Sequence, residues 1–212
     1  MGEEIFKLLC ITGSGRNGSL SMRTMLRHEL SLKIGHEYVD EDGTASMYFF
    51  DRQLKDYPRI KNRPPKDKNA HAGQRMKDFK FKNIWHQVRH PYKAIASIAV
   101  NCPAATMDWF VKQGVIPDVD TRLHKAMFIW DQVSARADKI CSYRFRIEDV
   151  NKEWANLCNK LDYKDSPPLE IVQHKGKNVR TMHKIDIYKL KDQDIALAKT
   201  IQQRAKKYGY YV

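Results

Sequence analysis

The sequence has no continuous apolar run of about 20 residues, the length that a helix needs to cross a bilayer. Its first ten residues place acidic side chains before a short apolar run, a pattern typical of a first β-strand and not of a secretory signal. We therefore expect a cytoplasmic protein without a membrane span.

Cysteine is scarce, with four residues at positions 10, 102, 141 and 158. None forms a C-x-x-C pair, and no cysteine and histidine positions have the spacing of a zinc site. The pattern predicts buried thiols in a reducing compartment and no metal centre.

Acidic residues are also few: the sequence has 25 Asp and Glu residues against 38 Lys and Arg residues, which gives a net charge of +13. Such a charge fits either a solvated basic surface or attraction of polyanions such as nucleotide phosphates, acidic glycans or nucleic acid. The basic residues are densest in segments 52–82 and 175–207. Since no nucleic-acid reader motif accompanies them, we do not expect nucleic acid as the main partner. A non-catalytic basic binding module stays open as an alternative.

Strand and helix patterns alternate along the 212 residues, which suit one domain. Apolar or alternating runs predict strands at 5–11, 34–39, 84–88 and 140–147, and helical periodicity predicts helices at 19–33, 92–100, 122–137, 148–161 and 191–208. This alternation predicts a P-loop-like, three-layer α/β fold with a mostly parallel central sheet and helices on both faces. The polar segment 51–82 is interpreted as a variable substrate or lid loop within that domain.

A glycine-rich loop follows the first predicted strand and precedes the first predicted helix. This order directs backbone N–H groups and the positive helix end at an anion. The candidate phosphate ligands are Gly13, Ser14, Gly15, Arg16, Asn17, Gly18, Ser19, Leu20 and Ser21. A plain connector between strand and helix is the structural alternative.

Gly13 and Gly18 have the spacing of a Walker A loop, but two of its functional residues are missing. That loop would carry lysine at position 19 and serine or threonine at position 20, where this chain has Ser19 and Leu20. The loop instead carries its cation at Arg16. A magnesium-dependent hydrolase is therefore disfavoured, and a P-loop nucleotide kinase remains an alternative.

A second motif, Arg89-His90-Pro91, ends a predicted strand, and Ser97 lies eight residues after the arginine. Arg89 and Ser97 can reach one phosphate only if the chain folds back at Pro91. Otherwise they are an ordinary surface arginine and a helix serine.

Together the two motifs resemble the sulfotransferase superfamily, whose members use 3′-phosphoadenosine 5′-phosphosulfate (PAPS), and in particular its small bacterial and phage-type members. Two further segments add to the resemblance: Tyr143–Val150 is similar to the family's Y-R-x-E-D-L segment, and Ile34–Glu37 to its G-H-E segment. Position 147, where some members have tyrosine, is isoleucine. The resemblance covers roughly residues 5 to 150, in the family's order.

The resemblance implies transfer of a sulfuryl group from PAPS to a hydroxyl or amine without a metal, leaving 3′-phosphoadenosine 5′-phosphate (PAP). The glycine loop, with Arg16, would hold the 5′-phosphosulfate, and Arg89 and Ser97 the 3′-phosphate. Glu37 is the first candidate for the base and His36 the second. A solvent-facing Glu37 is the alternative.

Other features bear on the base and the acceptor. His71 and His86 are weaker candidates for the base. The basic segment 174–180 is either a loop that closes over the nucleotide or a solvated turn. The basic composition favours a small or glycan-like, anionic acceptor. The aromatic residues Tyr48, Phe49, Phe50, Trp109 and Phe110 either line an apolar pocket or belong to the core, and the core is favoured for most of them.

Overall fold

The computed structural model describes residues 5–55, 74–164 and 185–212, and in these a five-stranded, wholly parallel sheet forms the centre. Its strands are β1 (Ile5–Thr12), β2 (Ile34–His36), β3 (Gly43–Ser46), β4 (Phe79–Val88) and β5 (Tyr143–Arg146), in the spatial order β2-β3-β1-β4-β5. The predicted α/β fold with a parallel sheet is confirmed.

Seven α-helices occur in the described ranges: α1 (Ser19–Glu29), α2 (Pro91–Asn101), α3 (Ala104–Lys112), α4 (Arg122–Ile140), α5 (Val150–Lys160), α6 (Ile187–Gln193) and α7 (Ile195–Lys207). Short 3₁₀ turns at Met76–Asp78 and Ile147–Asp149 precede β4 and α5. None of these helices alone is both long and apolar enough to cross a membrane. In the described ranges only α2 and α3, counted together, have the required length and apolar character, and they are bent by 107° relative to each other.

The helices cover both faces of the sheet. Alternate residues of β1 point to opposite faces, as in any strand. Leu9 and Ile11 join one core with residues of α1 and α5, whereas Cys10 joins the other with residues of α2, α3, α4, α6 and α7. Three layers result, as the alternating sequence pattern predicts.

Several element boundaries differ from the sequence-based prediction. The helix predicted over 191–208 is two helices, because the Asp194 side chain accepts a hydrogen bond from the N–H of Leu197 and so begins α7. Strand β3 and helix α3 were not predicted. The prediction of a loop over 51–82 is wrong for residues 79–82, because β4 begins at Phe79.

The five aromatic residues considered for a pocket are all buried in the core, and none of them is more than 4% exposed.

The strand order places two loops side by side. Strand β1 leads into α1 on one face, and neighbouring β4 leads into α2 on the other. Thr12 pairs with His86, so the segments that follow both strands leave the same edge together. A crevice at the carboxyl ends of such diverging strands is where open α/β sheets bind ligands.

Candidate functional site

The loop between β1 and α1 has a tightly curved backbone. Gly15, Arg16 and Gly18 have positive φ angles of 75°, 53° and 95°. Left-handed residues within a loop bring successive N–H groups together into an anion-binding concavity. Gly18 also precedes the first turn of α1, whose first N–H groups have no partner within the helix. The loop therefore has the backbone form of an anion site.

The second motif lies against this loop. The Nε atom of Arg16 donates to the Ser97 hydroxyl at 3.2 Å, and Nη1 of Arg89 donates to the carbonyl oxygen of Arg16 at 2.9 Å. The chain does fold back at Pro91, which is the first residue of α2. Arg16, Arg89 and Ser97, which the family resemblance would assign to one nucleotide, are thus brought together.

The positive charges of Arg16 and Arg89 are close enough to act on each other. Burial lowers the pKa of Arg89 from its ordinary value, Glu148 opposes that shift, and Arg16 adds to it. A cation whose charge is disfavoured by burial and by a neighbouring cation gains from a nearby anion. The pair therefore favours a bound anion.

The third segment of the resemblance borders the same site. A carboxylate oxygen of Glu148 accepts the N–H of His90 at 2.9 Å, and its other oxygen accepts the Tyr210 hydroxyl at 2.7 Å. The rings of His90 and Tyr210 lie 5.3 Å apart at a steep angle. Glu148 thus fixes the turn that carries Arg89. At position 147 an isoleucine packs beside Gly18, where a Cβ would lie 3.0 Å from its Cγ1.

The two candidate bases lie at the end of β2. The Oε2 atom of Glu37 accepts the Ser46 hydroxyl at 2.8 Å, and Oε1 lies 3.4 Å from the N–H of Met47. The Glu37 side chain is only 9% exposed, so the solvent-facing alternative is wrong. Its φ angle of 59° is unusual for a residue other than glycine, and such backbone is often found at functional sites.

His36 links this carboxylate to the loop. Its Nε2 atom lies 3.3 Å from the hydroxyl oxygen of Ser19 and 3.9 Å from Oε1 of Glu37. In a serine, histidine and carboxylate triad, the serine and the carboxylate contact different ring nitrogens. Here one nitrogen faces both groups, so the three side chains do not have the geometry of a serine nucleophile.

The remaining candidates divide by burial. Gly13, Ser14, Gly15 and Asn17 are buried, whereas Leu20, the second residue of α1, is 54% exposed. Ser19 and Ser21 are partly exposed in the first turn of α1. His71 and the segment 174–180 lie outside the described residues.

A second polar cluster lies behind β4. The Nδ1–H group of His86 donates to Oδ1 of Asp138 at 2.9 Å, and the Cys141 thiol is close to both. Three such groups can bind a metal, but Asp138 is also within 4.0 Å of basic side chains from Arg144, Arg204 and Lys207. Positive neighbours disfavour a cation. The cluster instead joins β4, α4 and α7, which makes His86 a structural residue.

Gln87 and Ser46 are among the residues at the site that were not found from the sequence. Gln87 contacts the loop, and Ser46 holds the Glu37 carboxylate. Gln87 lies near the end of β4 and Ser46 in a strand of four residues, and neither belongs to a recognisable motif. Only the parallel pairing of β1 with β3 and β4 brings them to the site.

Comparisons of the chain with family models, with curated proteins and with solved structures give no match.

Proposed function

We propose that the protein is a PAPS-dependent sulfotransferase. One observation carries the proposal: the glycine loop and the second motif meet through the contacts of Arg16 with Ser97 and of Arg89 with the Arg16 carbonyl. The two motifs would bind the 5′ and 3′ phosphates of one nucleotide. The resemblance of four ordered segments to the family supports the same conclusion.

The residues present fit such a nucleotide. Position 19 is serine, so no Walker lysine is available for a triphosphate, and the two guanidinium groups replace it. Arginine binds phosphate oxygens through two parallel N–H donors. Two neighbouring arginines and the first N–H groups of α1 therefore suit two separate phosphate groups.

In the proposed reaction an acceptor hydroxyl or amine attacks the sulfur in line with the bridging oxygen. The new bond joins the acceptor to sulfur, and the bond between sulfur and the 5′-phosphate oxygen breaks. Its electron pair remains on that oxygen, where Arg16 and the loop amides stabilise the developing charge. Glu37 accepts the acceptor's proton, and His36, which is closer to the loop serine, is the alternative base.

Calorimetry with PAP, ADP and ATP tests the proposal. We expect PAP to bind most tightly, without magnesium, and Arg89→Ala to weaken it by roughly tenfold or more. Arg75→Ala is the matched control, because it also removes one positive charge. Arg75 pairs with Asp78 before the start of β4, at the opposite edge of the sheet from the site. Equal or tighter binding of ATP with magnesium would favour a kinase and overturn the proposal.

A further inference from the structure

Two successive carbonyl groups of the glycine loop are held by side chains from the end of β4. Nε2 of Gln87 donates to the carbonyl oxygen of Asn17 at 2.7 Å, and Nη1 of Arg89 donates to that of Arg16 at 2.9 Å. Gln87 is fully buried, so its amide cannot exchange this partner for water. The contact is therefore a fixed part of the site.

The contact with Gln87 is reciprocal. Nδ2 of Asn17 donates to the carbonyl oxygen of Gln87 at 2.8 Å, and Oδ1 of Asn17 accepts the N–H of Ser19 at 3.2 Å. Gly13 makes room for this pair, because a Cβ at position 13 would lie 2.0 Å from Nδ2 of Asn17 and 2.4 Å from the Gln87 carbonyl oxygen. The first glycine of the motif thus accommodates the protein's own amide pair.

The planar geometry of the peptide bond fixes the direction of the N–H groups that share a unit with these carbonyls. The peptide bonds of the loop are trans, so the C=O and N–H of each planar unit point in opposite directions. The carbonyl of Arg16 shares its unit with the N–H of Asn17, and the carbonyl of Asn17 shares its unit with the N–H of Gly18. With the Asn17 carbonyl directed at the Gln87 amide and the Arg16 carbonyl at the Arg89 guanidinium, the N–H groups of Gly18 and Asn17 point away from those side chains.

We propose that Gln87 is a positioning residue that directs the N–H group of Gly18 at the 5′-phosphate, beside the N–H group of Asn17, whose peptide unit Arg89 holds. It contacts no nucleotide itself and acts through the loop backbone. Donors fixed in advance bind an anion without the cost of ordering them. The inference rests on the proposed function only in that the loop binds a 5′-phosphate.

The test compares Gln87→Met with the matched control Gln74→Met. Methionine keeps the length of glutamine and removes its donor. Gln74 makes a similar reciprocal pair with the backbone of Val39, away from the loop. We expect Gln87→Met to bind adenosine 5′-phosphate about tenfold more weakly and adenosine 3′-phosphate as the wild type does. The Gln74 variant should bind both unchanged.

Equal losses for the two ligands in Gln87→Met would mean a merely structural role and would overturn the inference, as would unchanged binding of the 5′-phosphate. A second test uses the wild-type protein, so its result does not depend on whether a variant folds. In ¹H–¹⁵N spectra, the amide signals of Asn17 and Gly18 should move when adenosine 5′-phosphate binds. Binding without movement of these two signals would also overturn it.

The same titrations separate this inference from the proposed function. If a 3′-phosphate adds nothing to affinity while the contrast between the two glutamine variants persists for the 5′-phosphate, the sulfotransferase proposal fails and the role of Gln87 stands. If PAP binds with the expected preference and Gln87→Met behaves as the wild type, the role of Gln87 fails alone.

Discussion

The Nε atom of Arg16 donates to the Ser97 hydroxyl at 3.2 Å and so joins two motifs that are 81 residues apart in the chain. Ser97 is 4% exposed, in the buried part of α2, whereas Arg16 is exposed on the loop. A buried hydroxyl thus holds a guanidinium at the surface.

Removal of that hydroxyl should weaken nucleotide binding. In Ser97→Ala the Arg16 side chain loses its partner and becomes mobile, and a hydrogen bond to a charged group contributes about 1.5–3 kcal/mol. We expect roughly tenfold weaker binding of PAP by calorimetry. Ser134→Ala, which changes another buried helix serine, is the control. Equal effects of the two substitutions would show that the contact does not serve binding.

Replacement of the first candidate base should separate binding from turnover. Glu37→Gln keeps the shape of the side chain and removes its capacity to accept a proton. We expect PAP affinity within about threefold of wild type and a loss of sulfuryl transfer of about 10²- to 10⁴-fold, measured with labelled PAPS and a panel of phenols, amines and sugars. The exposed Glu41, exchanged for glutamine, is the control.

Full turnover by Glu37→Gln would remove Glu37 from the mechanism. The same assay on His36→Gln would then show whether the histidine beside Ser19 is the base.

Acid should destabilise the fold through His86. Burial lowers the pKa of this histidine, although its hydrogen bond with Asp138 raises it in part. The unfolded chain therefore takes up the proton near pH 6.5 and the folded protein only at lower pH. Stability is lost as the pH falls below about 6.5, by at most about 1.4 kcal/mol per pH unit for this group.

Urea unfolding of His86→Asn at pH 5.5 and 7.5 checks this prediction. The difference between the two pH values should be smaller than in the wild type. It should not vanish, because burial also lowers the pKa of His90. An exposed histidine, His28, exchanged for asparagine serves as the control. An unchanged pH dependence in the His86 variant would contradict the prediction.

A methyl group at position 13 should be costly for the fold. It would collide with the Asn17 amide and the Gln87 carbonyl, and overpacking of this kind costs about 1–3 kcal/mol. Gly114→Ala is the control: its Cβ would meet no atom within 4 Å, so only its positive φ of 63° opposes the change. We expect the Gly13 variant to lower the free energy of unfolding more than the control. Equal losses in the free energy of unfolding for the two variants would show that Asn17 and Gln87 move aside for the methyl group without a measurable penalty.

The sequence predicted the parts of this site that have local patterns. The apolar run of β1 and the glycines after it were enough to place the loop, and Pro91 marked the point at which the chain would have to fold back for Arg89 and Ser97 to share a ligand. These features depend on neighbours in the chain, so periodicity and turn chemistry reveal them.

The contacts of Ser46, Gln87 and Tyr210 could not be predicted in this way. Each depends on which strands are adjacent or on how α7 ends beside β5, and these relationships join residues 9 to 70 positions apart. The break at Asp194 was missed for a different reason. One capping aspartate divides a segment whose helical periodicity continues across it.

The central claim is that one nucleotide with phosphates at both its 5′ and 3′ positions bridges the glycine loop and the second motif. Calorimetric titration of the wild type, without magnesium, with PAP, adenosine 5′-phosphate and adenosine 3′-phosphate tests it most directly. The account predicts that removal of either phosphate weakens binding by about tenfold or more. Equal affinity of PAP and adenosine 5′-phosphate would contradict it.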